Sequence, residues 1–288
     1  MLLPGQEPDD EEKAALVALI RAGLGEADIK IVASYATPLF WTMRNDNGTE
    51  TMKGGTAFLL DTGEKTIAVT ACHVVEECFE DTRSSRFIQC MIGGKDGPVV
   101  PFHLGDRIID AHHGIDIATF HLTADEIARS GIDILRGYYH PRWPPPLAQS
   151  ERGLTYCGYP GNGRRQLAPR KISFGVVTMG GIATSINETA ISIQLEREHL
   201  FQVLGDTAMP TDYDFGGISG GPVLAIVDNG RIRSWMPAGV IFQGPNPNGV
   251  EGEAIAGLEI IKARPIHFIK ADGCLDVTRW EQLNIGYS

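Results

Sequence analysis

The chain has 288 residues, 43% of them hydrophobic and 21% charged, with 34 glycines and a formal net charge of -11. That length buries a sizeable core in one large or two modest domains, and the balance suits a globular, loop-rich protein rather than a disordered chain or a helical bundle. The acidic balance excludes a general phosphate-binding surface, which needs clustered Lys and Arg, so no nucleic-acid partner is expected.

The start, Met1-Leu-Leu-Pro-Gly-Gln followed by Asp9, Asp10, Glu11 and Glu12, has neither the basic region nor the apolar stretch of a secretory signal. Residues 9–24 predict a helix: its first turn is acidic, Leu16, Leu19, Ile20 and Leu24 recur at helical spacing, and Gly23 and Gly25 end it. Its apolar run, Ala14 to Ile20, is far short of the roughly 20 residues that cross a bilayer, so no membrane partner is expected. The apolar face is expected to pack on the chain's own sheet, with a regulatory partner as the alternative. Five cysteines (Cys72, Cys78, Cys90, Cys157, Cys274) form no C-x-x-C pair. They predict reduced thiols in a cytoplasmic protein, without a disulfide framework or a zinc site.

From Ile31 to Leu122 the texture changes to short β-rich runs, TPLFWTM, GTAFLL, TIAVTA, FIQCMI and DIATFHL. A short helix candidate and the stiff segment His140-Pro-Arg-Trp-Pro-Pro-Pro follow, unsuited to a central strand. A second β-rich stretch contains GLTYCGYPG, KISFGVVTMGG, AISIQLE, GPVLAIV and PAGVIFQG, and residues 262–271 read as a terminal helix with Pro265 in its first turn. The expected organisation is an N-terminal helical extension (1–29), a first β unit (30–124), a connection (125–150), a second β unit (151–271) and a C-terminal extension (272–288).

Three segments carry chemistry. Gly216-Gly217-Ile218-Ser219-Gly220-Gly221-Pro222 sets a serine among glycines, where its oxygen and nearby N–H groups can be exposed. The plain alternative is a glycine-rich hairpin turn. Thr70-Ala71-Cys72-His73-Val74-Val75 puts His73 where a strand ends and a helical turn begins, and a lone histidine there is structural unless it has company. Gly114-Ile115-Asp116-Ile117-Ala118 supplies the company, a carboxylate inside an apolar strand that is costly to bury unpaired. His112 and His113 read as surface residues of the preceding polar turn.

GTAFLL with TACHVV, GIDIATF and GGISGGPV resemble the three signature segments of trypsin-like serine proteases, closer to bacterial and HtrA-like members than to digestive enzymes. The likeness covers Ile31 to Ala271 and leaves no room for a PDZ domain. The order His73, Asp116, Ser219 matches, at separations of 43 and 103 residues. The resemblance implies an all-β fold of two six-stranded antiparallel barrels, flanked by an N-terminal helix and a short C-terminal helix. It further implies a His73–Asp116–Ser219 triad that hydrolyses protein or peptide substrates. The Gly217 and Ser219 N–H groups form the oxyanion hole, and no metal or other cofactor takes part. By the same alignment Tyr213, Asp214, Phe242, Gln243 and Gly244 line the specificity pocket. Asp214 favours a basic side chain there, with a small apolar residue as the competing choice.

Two departures matter. Ile218 replaces the Asp that pairs with a newly cut N-terminus in secreted relatives, so Lys30-Ile31-Val32 is expected to be a buried strand rather than a processing site. Cys72 beside His73 is read as a small buried hydrophobe, with a redox-sensitive thiol as the alternative. The competing function is a catalytically silent, protease-like module that binds a peptide or protein.

Overall fold

The computed structural model describes residues 25–94, 98–137, 143–150, 152–168, 171–195, 213–228, 233–245 and 259–284, with Ala14, Ala18 and Gly23 before them. The first sheet contains β1 (Ala36–Arg44), β2 (Glu50–Asp61), β3 (Thr66–Thr70), β4 (Phe87–Gly93), β5 (Val99–Phe102), β6 (Ile108–His112), β7 (Ile117–Phe120) and β8 (Ile134–Arg136). Its hydrogen-bonded order is β5-β4-β1-β2-β3-β7-β6, antiparallel throughout, with β8 added parallel to β2. The second half contains β9 (Gly153–Gly158), β10 (Arg164–Ala168), β11 (Lys171–Phe174), β12 (Val177–Ile182), β13 (Ser185–Ile186), β14 (Ile191–Leu195), β15 (Pro222–Asp228), β16 (Arg233–Gln243) and β17 (Glu259–Pro265). Seven of these run in the order β12-β9-β15-β16-β17-β14-β13, and β10 with β11 forms a separate hairpin.

The continuous apolar runs exist because both faces of these strands are covered. In β2, Ala57 and Leu59 enter a core inside the first sheet, while Phe58 and Leu60 enter a second core shared with the other sheet. In β9 and β15, Leu154, Tyr156, Val223 and Ala225 fill a third core, and Cys157 and Leu224 join the shared one. A period of two therefore divides each strand between two cores. Full burial of such side chains contributes about 1.5–3 kcal/mol each, so the shared layer binds the halves firmly.

The architecture is mostly β with curled sheets, and it corrects the expected count. Among the described residues the sheets have eight and seven strands, and their end strands, β5 with β6 and β12 with β13, do not pair to close a barrel. Strand propensity cannot reveal closure, because pairing partners lie far apart in sequence. Four helices are described: α1 (Gly25–Tyr35), α2 (Cys72–Thr82), α3 (Ala124–Ser130) and α4 (Val277–Asn284). Thr123 and Glu126 form a reciprocal cap at the start of α3. None is long and apolar enough to cross a membrane.

Two helix expectations change. The helix over 9–24 lies outside the described residues except for Ala14 and Ala18, which are helical, and Gly23. Gly25, expected as a terminator, opens α1, and Lys30-Ile31-Val32, expected as strand, lies within it. β-branched Ile29, Ile31 and Val32 suggest a strand, but docking on the second sheet overrides that propensity. Thr155 Oγ1 donates to Asp28 O (3.2 Å) and Cys157 Sγ to Val32 O (3.3 Å). Residues 262–271 are not a helix: they finish β17 and continue through a 3-10 turn at Ile266–Phe268. The helix follows later, as α4.

Asp28 anchors α1. Only 7% exposed, its carboxylate accepts from the Arg233 guanidinium through Nε (3.0 Å) and a terminal nitrogen, and from Trp235 Nε1 (2.9 Å). Asp28→Ala removes the buried carboxylate that accepts from the Arg233 guanidinium and the Trp235 indole N–H, and should destabilise the fold by about 2–4 kcal/mol in urea unfolding. A loss below about 0.5 kcal/mol, the range of ordinary surface substitutions, would show that α1 is held by packing alone.

Candidate active site

His73 is the second residue of α2, whose start has no side-chain cap from Ala71. The first amides of a helix lack partners within it, and Asp116 supplies one: His73 N–H donates to Asp116 Oδ1 at 3.0 Å. The other carboxylate oxygen lies 2.9 Å from His73 Nδ1. An ionised carboxylate only accepts, so Nδ1 carries the proton and Nε2 is left as the acceptor. The His73 side chain is 42% exposed and that of Asp116 only 19%, so the ring meets solvent while its partner is shielded.

Asp116 is not within a strand as the pattern GIDIATF suggests. It ends the turn before β7, with φ 57°, the sole described non-glycine residue with positive φ. Its N–H donates to the carbonyls of His112 (2.8 Å) and His113 (3.1 Å). Asp tolerates this left-handed conformation better than most residues. The apolar neighbours Ile115 and Ile117, both buried, hide the turn from a reading by periodicity. His113 is exposed and paired with Glu76 (3.1 Å), as a surface residue should be. His112 instead closes β6, half-buried, and its Nδ1 accepts from Ile115 N–H.

Ser219 lies in a turn wedged between the two sheets. Its carbonyl accepts from Thr56 N–H of β2 (2.8 Å), and Gly220 N–H donates to Ile241 O of β16 (2.7 Å). A Cβ at Gly220 would stand 2.0 Å from Thr56 O and 3.1 Å from Ala71 N, and φ there is 87°. Only glycine lets the chain pass so close to the segment that leads into His73. Gly216, Ile218, Gly220 and Gly221 each donate their N–H to a protein acceptor. Among the described residues the N–H groups of Gly217 and Ser219 donate to none, the two expected for an oxyanion. Among the described residues no hydrogen bond joins Ser219 Oγ to the His73 ring.

Arg164 of β10 was not anticipated. It donates to Gly54 O (2.8 Å) and Met52 O (3.3 Å), and it lies 3.1 Å from where a Cβ of Gly217 would be. Burial lowers its pKa, partly offset by the charge of Glu77. Ile218 is 1% exposed and packs against Gly158 and Gly244, so apolar contact fills the interior where an ion pair was not expected.

Of the pocket residues, Tyr213 is half-buried against Phe215 with ring centroids 5.2 Å apart. Asp214 is exposed, and its Oδ1 accepts from Gly216 N–H (2.8 Å). Gly244 faces Phe215 and Ile218. Gln243 is half-buried, and Phe242 turns its ring to Arg264 (4.4 Å). Among the described residues no group of three or more His, Cys, Asp or Glu could hold a metal ion. None of the five cysteines is in a disulfide. Cys72 is 3% exposed, and burial, then the charges of Glu76 and Asp116, push its thiol up to about 12. A thiol so protonated at neutral pH behaves as the small hydrophobe expected.

No family model matches the chain, and no curated protein does. Among solved structures it is similar to one reported under the subject of aromatic interactions in the coupled folding and binding of the intrinsically disordered Sesbania mosaic virus VPg protein. The identity is 13% and the TM-score 0.39, over 82% of this chain and 94% of that one. So slight a likeness carries neither fold nor function across.

Burial works against a charge on His73, but the Asp116 hydrogen bond and the charges of Asp116, Glu77 and Glu76 outweigh it, and its pKa is raised. Its charged form thus stabilises the fold fully below the unfolded value of about 6.5, and the gain is lost as pH rises through the folded value. By NMR titration the His73 midpoint should lie above that of a free imidazole and fall in Asp116→Asn. A midpoint indifferent to that substitution would contradict the pairing.

Proposed function

We propose that the chain is a serine endopeptidase, its two curled sheets forming the two barrels of a chymotrypsin-like fold. The observation that carries this reading is the junction of three segments: a histidine ring oriented by a carboxylate, beside a serine turn with two unengaged N–H groups. In the proposed reaction Ser219 Oγ bonds to the peptide carbonyl carbon as His73 Nε2 takes the hydroxyl proton. The Gly217 and Ser219 N–H groups receive the oxyanion, each donor contributing about 3–4 kcal/mol. The C–N bond then breaks, the amine leaves with the proton from His73, and water hydrolyses the acyl-enzyme by the same route reversed. Asp116 keeps Nε2 facing the serine and stabilises the imidazolium.

One observation favours the silent binding module, the lack of a hydrogen bond between Ser219 Oγ and His73. Catalytic hydrogen bonds commonly tighten only with substrate bound, so the enzyme reading stands first. Labelling with a fluorophosphonate separates the two. The 288-residue chain, uncut after Lys30, should react at Ser219. Ser219→Ala and His73→Ala should each lower peptide turnover by roughly 10⁴-fold or more, since triad members act as a unit. A folded wild-type protein that neither labels nor cleaves would leave the binding module.

Specificity is proposed from Asp214, exposed at the edge of the pocket segment. Cleavage after Lys or Arg should exceed cleavage after acidic residues, and Asp214→Asn should narrow the difference in a peptide-library profile. Preference for Ala, Val or Leu, unchanged by Asp214→Asn, would show that pocket size decides instead.

A further inference from the structure

The Asp116 turn is gripped from the opposite sheet. Strand alternation in β17 sends Ile261 and Ala263 into the third core, which turns Arg264 to the other face, where it is 7% exposed. Its Nε donates to Ile115 O (2.6 Å), one terminal nitrogen reaches Gly114 O (3.5 Å), and the other donates to Thr189 O. The guanidinium is sandwiched between the rings of Phe242 (4.4 Å) and Trp280 (4.5 Å). Trp280, on α4, also abuts the turn, its Nε1 lying 2.9 Å from where a Cβ of Gly114 would be.

A buried cation is costly unless compensated. Among the described residues Arg264 forms no ion pair within salt-bridge distance. Three carbonyls, two aromatic faces and the charge of Asp116 compensate it instead, and burial still lowers its pKa to about 10. Two of those carbonyls belong to the residues immediately before Asp116. The planar fork therefore fixes the peptide planes that lead into the left-handed Asp116, and a lysine cannot reproduce that grip.

We infer that Arg264 is a positioning residue for the candidate active site, holding the 114–116 turn so that Asp116 meets both His73 N–H and His73 Nδ1. The inference rests on the protease reading for its kinetic consequence, while its structural consequence is independent of turnover. If the turn rotates, the carboxylate loses both contacts together, because both depend on one backbone orientation. Phe242 and Trp280 serve the same end by holding the guanidinium in plane. This gives β17 and α4 a part in a site whose proposed triad lies wholly before residue 220.

The test uses the full chain and two substitutions, Arg264→Met, which keeps bulk, and Arg264→Lys, which keeps charge and folds more readily. The low-field proton resonance of His73 Nδ1–H reports its hydrogen bond to Asp116 whether or not the protein turns over. It should be present in the wild type and weakened or lost in the variants, while amide spectra remain those of a folded protein. Turnover number should fall on the order of tenfold to a hundredfold, the usual cost of a small misplacement, with KM nearly unchanged. Should Arg264→Met fail to fold, Arg264→Lys alone decides. A folded variant with the resonance and the turnover number intact overturns the inference. A wild type without turnover removes the protease reading but leaves the resonance to judge the positioning role.

Discussion

A single carboxylate, that of Asp116, ties the His73 helix to the turn before β7, and the candidate site depends on that tie. It does two things at once. One oxygen caps an otherwise unpaired amide at the start of α2, and the other fixes the tautomer and angle of the ring. The two contacts support each other, since the helix start and the imidazole move as one body. The conformation that allows both lies in the left-handed region, where a non-glycine residue costs of order 1 kcal/mol or more. Such strain persists only where the surroundings over-determine it, and here they include bonds from the second sheet.

Further bonds cross between the two halves of the chain. Ser219 belongs to the second half, yet its carbonyl is bonded to β2 and the next residue fills a gap that excludes any side chain. Arg164 crosses in the same direction, from β10 to the carbonyls of β2. The core between the sheets has Phe58, Leu60 and Val69 on one side and Cys157, Leu224 and Val240 on the other. Packing sets the distance between the sheets, and the hydrogen bonds use that distance to align the serine turn with α2. Loosening the shared core would therefore disturb the site before it unfolded either sheet.

How much of this was legible follows from what each feature depends on. The strands were readable because burial on one or two faces is written locally, as alternation or as a run such as AFLL. His73, Asp116 and Ser219 stood out because each pairs a polar group with a setting that penalises it unless partnered. The left-handed turn at Asp116 was hidden by Ile115 and Ile117, whose burial imitates a strand. Helix α1 was missed because β-branched residues were weighed without the sheet that packs against them. Arg264 left no local trace: KARP carries no sign of burial, and its hydrogen-bond partners are more than 70 residues away. Nor does any local pattern report whether a sheet's edges meet, and among the described residues the two sheets trace paths of seven strands each, with β8 beside the first.

The charges around the site are arranged along the proposed proton transfer. At physiological salt the screening length is about 8 Å, so the overall charge of -11 matters less than the few groups nearby. On the side of His73 stand Asp116, Glu76 and Glu77, whose charges outweigh the burial of the ring. On the side of Gly217 stands the Arg164 guanidinium, with two unengaged N–H groups. Attack by Ser219 would create an imidazolium on the first side and an oxyanion on the second, so each charge would form next to its opposite. These groups are fixed by contacts that the fold already makes: Glu77 by Lys53 (3.3 Å), Arg164 by β2 and Asp116 by α2. In the proposed reaction, groups held in this way would stabilise the separating charges in advance.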